Sequence, residues 1–268
     1  MIKMLAFDCD GTLLNDSQKI DEETVNAIKK MKDNGIKIVL SSSRPLYRMK
    51  KFLKQLDILV EDQYTISFNG GLIIENNDNI LFSNHFKTSE VLEIIEMARD
   101  SDLCTFIYKE DGIISNREAY EYTSKNTDSI FEVKDLETVD IASLNIYKII
   151  LFGEVKDVVD MRKEISSDMY EKYEITSSVA RNIEILPRDT IKSTGLKRIC
   201  KKLGIKSSEI AAFGDNENDL DMLEHVGYSV AMGNATEEVK KCADYVTKSN
   251  NDNGIAYAID KMIKDGIL

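Results

Sequence analysis

Residues 5–14 read LAFDCDGTLL. An apolar run ends in two aspartates, Asp8 and Asp10, one residue apart, and the chain then turns at Gly11. The run 2–7 (IKMLAF) predicts a buried strand, so both carboxylates stand at its carboxyl end. Working outward, residues 22–33 place Val25, Ile28 and Met31 at helical spacing, and Gly35 follows as a stop. IKIVL (36–40) predicts a second buried strand, Pro45 opens a helix bearing Leu46, Met49, Leu53 and Leu56, and YTISF (64–68) predicts a third strand. Strand and helix therefore alternate, which predicts parallel strands with helical crossovers.

The same alternation returns near the end. Leu196, Ile199, Cys200 and Leu203 stripe a helix that stops at Gly204. IAAF (210–213) predicts a strand, 216–225 a helix, YSVAM (228–232) a strand, 236–243 a helix, YVT (245–247) a short strand and 254–264 a last helix. The middle differs. Hairpins are expected at 72–82, with NNDN at the turn, and around Glu110 and Asp111, with a helix at 89–99 and further strands in NIYKIILF, YEITSS and RNIEIL. The fold class expected is α/β: a three-layer, Rossmann-like core with a parallel sheet, built from 1–83 and 184–268, and an α+β cap domain inserted at 84–183.

Composition narrows the function. The chain has 268 residues, 43% of them hydrophobic, enough for a sizeable core. A net charge of −12 speaks against nucleic acid as a partner, because phosphate backbones attract lysine and arginine. The four cysteines, Cys9, Cys104, Cys200 and Cys242, have no CxxC spacing and are expected to be reduced and mostly buried. The N-terminus lacks the pattern of a signal peptide and no run of about 18 apolar residues occurs, so the expected compartment is the cytoplasm, with no membrane partner.

In an open parallel sheet, ligands bind at the carboxyl ends of strands. Asp8 and Asp10, the serines Ser41, Ser42 and Ser43, and Asp215 each follow a predicted strand. Asp8, Asp10 and Asp215 gathered alone would repel one another. A hard dication relieves that repulsion, and Mg²⁺ favours one or two carboxylates, waters and a phosphate oxygen. Zinc is not expected, since His85 and His225 are the only histidines and neither is suitably placed. SSSRP offers hydroxyls and N–H groups ahead of a helix, a natural phosphate anchor. Lys192 can neutralise a phosphate oxygen and a carboxylate beside it. Each signal alone has a blander explanation: Lys192 a solvated side chain, the serines a plain loop, GDNENDLDML (214–223) an acidic helix start. A calcium loop does not fit that last stretch, which lacks the sixth-position glycine and the final glutamate. The ordered set is what points to chemistry.

DCDGTLL, SSSRP, the Lys192 segment and GDNENDLDML stand in the order of the four motifs of the haloacid-dehalogenase-like hydrolases, and the chain resembles that family over essentially its whole length. FNGG (68–71), opening the insertion, and NNDNGIA resemble its Cof-type subfamily, class IIB with a large cap. The resemblance implies an aspartyl-phosphate formed on Asp8, with Asp10 as general acid and base. It implies phosphate contacts from Ser42, Ser43, Asn218 and the backbone of Cys9, and the third-motif lysine in Lys192. Mg²⁺ is implied at Asp8, Asp215 and the Asp10 carbonyl, with Asp219 in support. Two positions depart from the usual pattern: Ser43 stands where most relatives have glycine, and Cys9 replaces an aliphatic residue or methionine. The activity implied is Mg²⁺-dependent hydrolysis of a small phosphorylated metabolite, a sugar phosphate or a phosphorylated cofactor. A phosphomutase or phosphotransferase would use the same intermediate, and a non-catalytic sensor of a phosphorylated ligand would be expected to lack Asp8, Asp10 or Lys192. The cap is expected to decide the substrate, with His85, Arg181 and Asn182 as candidate contacts, and Arg44 is expected either at the phosphate or as a brace of its loop.

Overall fold

A computed structural model describes residues 1–77, 79–116, 131–177 and 179–268. The chain divides into two compact units, one of Met1–Arg44, Met49–Phe82 and Ile191–Leu268, the other of Pro45–Arg48 and Ser83–Thr190. The first expected strand is β1 (Met4–Phe7), followed by α1 (Glu22–Asp33), β2 (Lys37–Ser41), α2 (Leu46–Gln55), β3 (Tyr64–Ser67), β4 (Leu72–Glu75) and β5 (Asn79–Ser83). The expected NNDN turn includes Asp78, which lies outside the described residues.

α1 shows why the local pattern was legible. Val25, Ile28 and Met31 are its buried stripe, Glu22 and Glu23 open it, Lys30 and Lys32 close it, and both charge groups complement the helix dipole. Gly35 ends it at φ +86°, a left-handed conformation that costs glycine little.

The second unit contains α3 (Thr88–Ala98), β6 (Cys104–Lys109), β7 (Gly112–Ser115), β8 (Phe131–Val133), β9 (Ile146–Phe152), α4 (Val155–Glu164), α5 (Ser167–Lys172), β10 (Tyr173–Thr176) and β11 (Asn182–Pro187). Its six-stranded sheet runs β10-β11-β9-β6-β7-β8, with every pair antiparallel except β7 and β8. Ile107, Ile149, Leu151, Ile183 and Ile185 of the sheet share a core with Val91, Ile94, Val158 and Met161 of α3 and α4. Because β11 pairs with β9 from Asn182 onward, the strand belongs wholly to this unit, and the chain leaves it at Thr190.

The chain then completes the first unit with α6 (Lys192–Leu203), β12 (Ile210–Gly214), α7 (Leu220–His225), β13 (Tyr228–Ala231), α8 (Glu237–Cys242), β14 (Tyr245–Val246) and α9 (Gly254–Lys264). The eight-stranded sheet has the order β14-β13-β12-β1-β2-β3-β4-β5. From β14 to β3 all neighbours are parallel, and β4 turns back antiparallel on β3. Strand order therefore reverses at β1, with β2 on one side and β12 on the other. Parallel strands sealed on both faces read as continuous apolar runs, and all four residues of β1 are buried. Met4, Ala6, Val39, Ile66 and Ala212 pack with Leu196 and Ile199 of α6, Met222 and Leu223 of α7 and Val239 of α8. Leu5, Phe7, Ile38 and Leu40 alternate to the other face, where α1 packs on α9.

The expected helix at 216–225 is shorter than its sequence suggests. A 3₁₀ turn covers Glu217–Asp219 and α7 starts at Leu220. Asp219 causes this: its Oδ2 accepts from the N–H groups of Asp215 (2.9 Å) and Asn216 (3.1 Å), so the preceding loop wraps onto the side chain before regular helix begins. No helix of the described residues is long and apolar enough to cross a membrane. All four cysteines are free, three of them buried and Cys242 half-buried.

Candidate active site

The reversal of strand order at β1 leaves a crevice at the carboxyl ends of β1, β2 and β12, which is where doubly wound sheets bind ligands. Asp8 follows β1 and continues its ladder, its N–H donating to Phe213 O at 3.0 Å. The chain then closes into a tight turn, with Leu13 N donating to Asp8 O (3.2 Å) and Leu14 N to Cys9 O (2.9 Å). Gly11 makes that turn possible twice over. Its φ is +77°, and a Cβ there would stand 2.3 Å from Asp215 Oδ2. Asp215, just beyond β12, is thereby brought beside the turn, and Thr12 Oγ1 donates to its Oδ1 at 2.6 Å.

Lys192 is the first residue of α6 and is completely buried, so it is not a solvated lysine. Its Nζ donates to Asp8 Oδ1 at 2.5 Å and to Asp219 Oδ1 at 2.6 Å. A cation at a helix N-terminus opposes the dipole, and a buried ammonium is costly without partners. Two carboxylates supply the compensation: burial alone would lower the Lys192 ammonium, but the negative charges of Asp219 and Asp8 and the hydrogen bonds to them outweigh it and hold it well above its ordinary range. The helix start carries no cap from its own residues. Asp221, in the first turn of α7, accepts from Ser193 N at 2.6 Å instead. Gly195 lets α6 lie against β3, since a Cβ there would press on Ile66 at 2.9 Å.

Asp8 itself is buried, and burial raises its carboxyl well above the ordinary range against the opposing pull of Lys192. Burial also pushes Asp215 up to about 6, with Thr12 opposing. Among the described residues, Asp8, Asp215 and Asp219 form a cluster whose ligand oxygens lie within 4.8 Å of one another. Asp219 is committed to Lys192 through one oxygen and to two backbone N–H groups through the other. Asp8 and Asp215 each spend one oxygen on Lys192 and Thr12 respectively, which leaves hard oxygen donors of the kind Mg²⁺ prefers. The residues present fit the ion, and they fit it with Asp219 as a brace.

Ser42 is buried beside the turn, its N–H donating to Ile66 O at 2.9 Å and its Oγ accepting from Arg44 N at 3.2 Å. Ser43 is half-buried next to it, and Asn218 is half-buried within the 3₁₀ turn. Cys9 is fully buried, and burial with the negative charges of Asp8 and Asp10 pushes its thiol far up, so the sulfur stays protonated and inert. Asp10 stands apart from the cluster. Its carboxylate is half-exposed and meets Arg44, whose Nε donates to Oδ2 at 2.7 Å while Nη2 donates to Oδ1. His85 lies edge-on to Tyr147, and Arg181 donates to Gly153 O and Glu154, all within the second unit.

Several residues were not singled out in sequence: Gln18, Asp221, Asn234 and Asn250. Asn234 donates to Gly11 O (2.8 Å) and accepts from Asn250 N, while Asn250 Nδ2 donates to Leu14 O (2.9 Å). Asn250 thus holds the 11–14 turn directly and through Asn234; the NNDNGIA stretch was visible in sequence as a subfamily resemblance, but its contact with the turn was not.

Residues 5–259 match the haloacid dehalogenase-like hydrolases. A protein of Streptococcus pyogenes serotype M6 is 31% identical over 270 residues, with 98% of each chain covered. The 5-amino-6-(5-phospho-D-ribitylamino)uracil phosphatase YwtE of Bacillus subtilis is 30% identical, again over 98% of each chain. The crystal structure of a haloacid dehalogenase-like hydrolase from Bacteroides thetaiotaomicron superimposes with a TM-score of 0.90 at 28% identity, covering 98% of this chain and 100% of that one. With the model of the family matched from one end of the first unit to the other, this chain belongs to the haloacid dehalogenase-like hydrolases.

Proposed function

We propose that the protein is a Mg²⁺-dependent phosphatase acting on a small phosphorylated metabolite through an aspartyl-phosphate. The observation that carries this reading is the buried Asp8–Lys192–Asp219 constellation with Asp215 beside it, at the strand-order reversal of a family hydrolase. Asp8 and Asp215, with the Asp10 carbonyl, would hold Mg²⁺, which when bound neutralises carboxylate and phosphate charge. Lys192 fixes the Asp8 carboxylate and offsets its charge, so that an anionic nucleophile can meet an anionic phosphoryl group.

In the first half-reaction an Asp8 oxygen bonds to phosphorus and the bond to the leaving oxygen breaks. Asp10 gives that oxygen its proton. In the second, water attacks phosphorus, Asp10 takes the water's proton, and the Asp8–phosphorus bond breaks to release phosphate. Ser42, Ser43, Asn218 and the backbone at Cys9 supply hydrogen bonds to the phosphoryl oxygens. Asp219 acts on Lys192 and on the loop before α7. Support for a small substrate comes from YwtE, whose substrate is a phosphorylated ribitylamino compound and whose chain aligns end to end with this one. Sugar phosphates and phosphorylated cofactors or their precursors form the class.

The test is hydrolysis of a panel of phosphorylated metabolites with Mg²⁺ and with EDTA, using Asp8→Asn as the blank. Turnover that needs both Mg²⁺ and Asp8 is expected, with a loss of at least ~10³-fold in the variant. Full activity in folded Asp8→Asn would refute the reading.

A further inference from the structure

Asp10 poses a problem of placement. It is exposed to water through about half of its side chain (48%), whereas Asp8 is buried. A half-exposed carboxylate on a turn would rotate freely and shed the orientation that proton transfer needs. Two donors of one guanidinium prevent this. Arg44 Nε and Nη2 engage the two oxygens of Asp10 separately, the fork-to-fork pairing that fixes a carboxylate plane. The guanidinium is itself held. Nη2 also donates to Gln18 Oε1, and the cation lies 5.7 Å from the centre of the Phe52 ring. The Arg44 backbone is tied on both sides, its N–H to Ser42 Oγ and its carbonyl to Ser67 Oγ (2.7 Å) and Phe68 N (3.2 Å). Gln18 sits at φ +58° in a turn in which it donates through its N–H to Asn15 O (2.8 Å).

We infer that Arg44, anchored by Gln18, is a positioning residue that clamps the Asp10 carboxylate in its working orientation. Arg44 neither anchors phosphate nor merely braces its own loop. The inference rests on the phosphatase reading, in which Asp10 serves the leaving oxygen and then the water. A lysine cannot replace the fork, because a single ammonium cannot meet both oxygens in one plane.

Two aryl esters of nearly equal shape separate the clamp from a structural role. Nitrophenolate departs without a proton, whereas phenolate benefits from one. In Arg44→Ala, kcat/KM for phenyl phosphate is expected to fall ~30–100-fold, the cost of an acid misplaced by about 1 Å. For p-nitrophenyl phosphate kcat/KM falls less than ~3-fold, and a burst of nitrophenolate appears because water attack on the intermediate has lost its base. Arg44→Lys recovers only a minor part of the loss, and Gln18→Ala shows the same leaving-group selectivity at ~3–10-fold. Should Arg44→Ala unfold, Gln18→Ala carries the test. Equal losses on the two esters in Gln18→Ala and Arg44→Ala would overturn the clamp while leaving the phosphatase reading intact. A gain on both would overturn it as well, since the pair would then be holding Asp10 away from its work. Wild-type protein inert towards both esters would overturn the phosphatase reading and the clamp together.

Discussion

A completely buried ammonium between two buried carboxylates makes Lys192 costly to remove. Lys192→Met leaves Asp8 and Asp219 with uncompensated charge, and we expect a loss of about 3–5 kcal/mol in metal-free urea unfolding along with loss of turnover. A change under about 1 kcal/mol would contradict that account. Gly11 is constrained by both conformation and space. Gly11→Ala places a methyl against Asp215 at a positive φ, and about 1–3 kcal/mol of destabilisation is expected, read as a lowered Tm. The sequence announced Gly11 as a turn but not as the residue that admits Asp215, because the close approach joins positions more than two hundred residues apart. Arg44 is a similar case: its place after the three serines was visible, its partner Asp10 was not.

At the scale of elements, legibility followed burial. β1, β2, β3 and β12 read as strands because they are buried almost throughout, so their sequences are mainly apolar. α1 and α6 read as helices because one stripe is buried and a glycine follows each. The loop before α7 was misread, since a run of acids and asparagines suits a helix N-terminus as well as a turn wrapped on Asp219. The start of α6 depends on a neighbour in the same way. Asp221→Ala removes the acceptor for Ser193 N, and about 1 kcal/mol of stability is expected to go with it. Lys192 sits one residue from that bond, so kcat is expected to fall more than KM changes; steady-state kinetics on the best substrate checks this.

For the molecule as a whole, the site is where stability and ion binding oppose each other. Burial raises Asp215 to about 6, above the ~4 of an unfolded aspartate, and raises Asp8 too. A carboxyl raised in the fold contributes stability that is fully present below pH ~4 and is lost as pH climbs through about 6. Metal-free protein is therefore expected to lose this contribution between pH ~4 and about 6, and Mg²⁺, which needs both carboxylates ionised, to return it. The Mg²⁺-induced rise in Tm should be larger at pH 7.5 than at pH 5, and Asp215→Asn should flatten the difference. Equal rises at the two pH values would count against Asp215 as a ligand.

The place of β1 in the sheet has a consequence for synthesis on the ribosome. β1 pairs with β2 through Met4 and Lys37, but its other edge waits for β12, where Met4 meets Ile210. Until some two hundred further residues have been translated, including the whole of the second unit, the apolar strand MLAF has one edge of unpaired N–H and C=O groups. The nascent chain thus carries an apolar strand with one open edge until late in synthesis, and the second unit, whose strands lie close together in the chain, can finish folding first. Stalled chains that stop short of Ile210 are expected to recruit holdase chaperones through β1, and chains released past Gly214 to let them go.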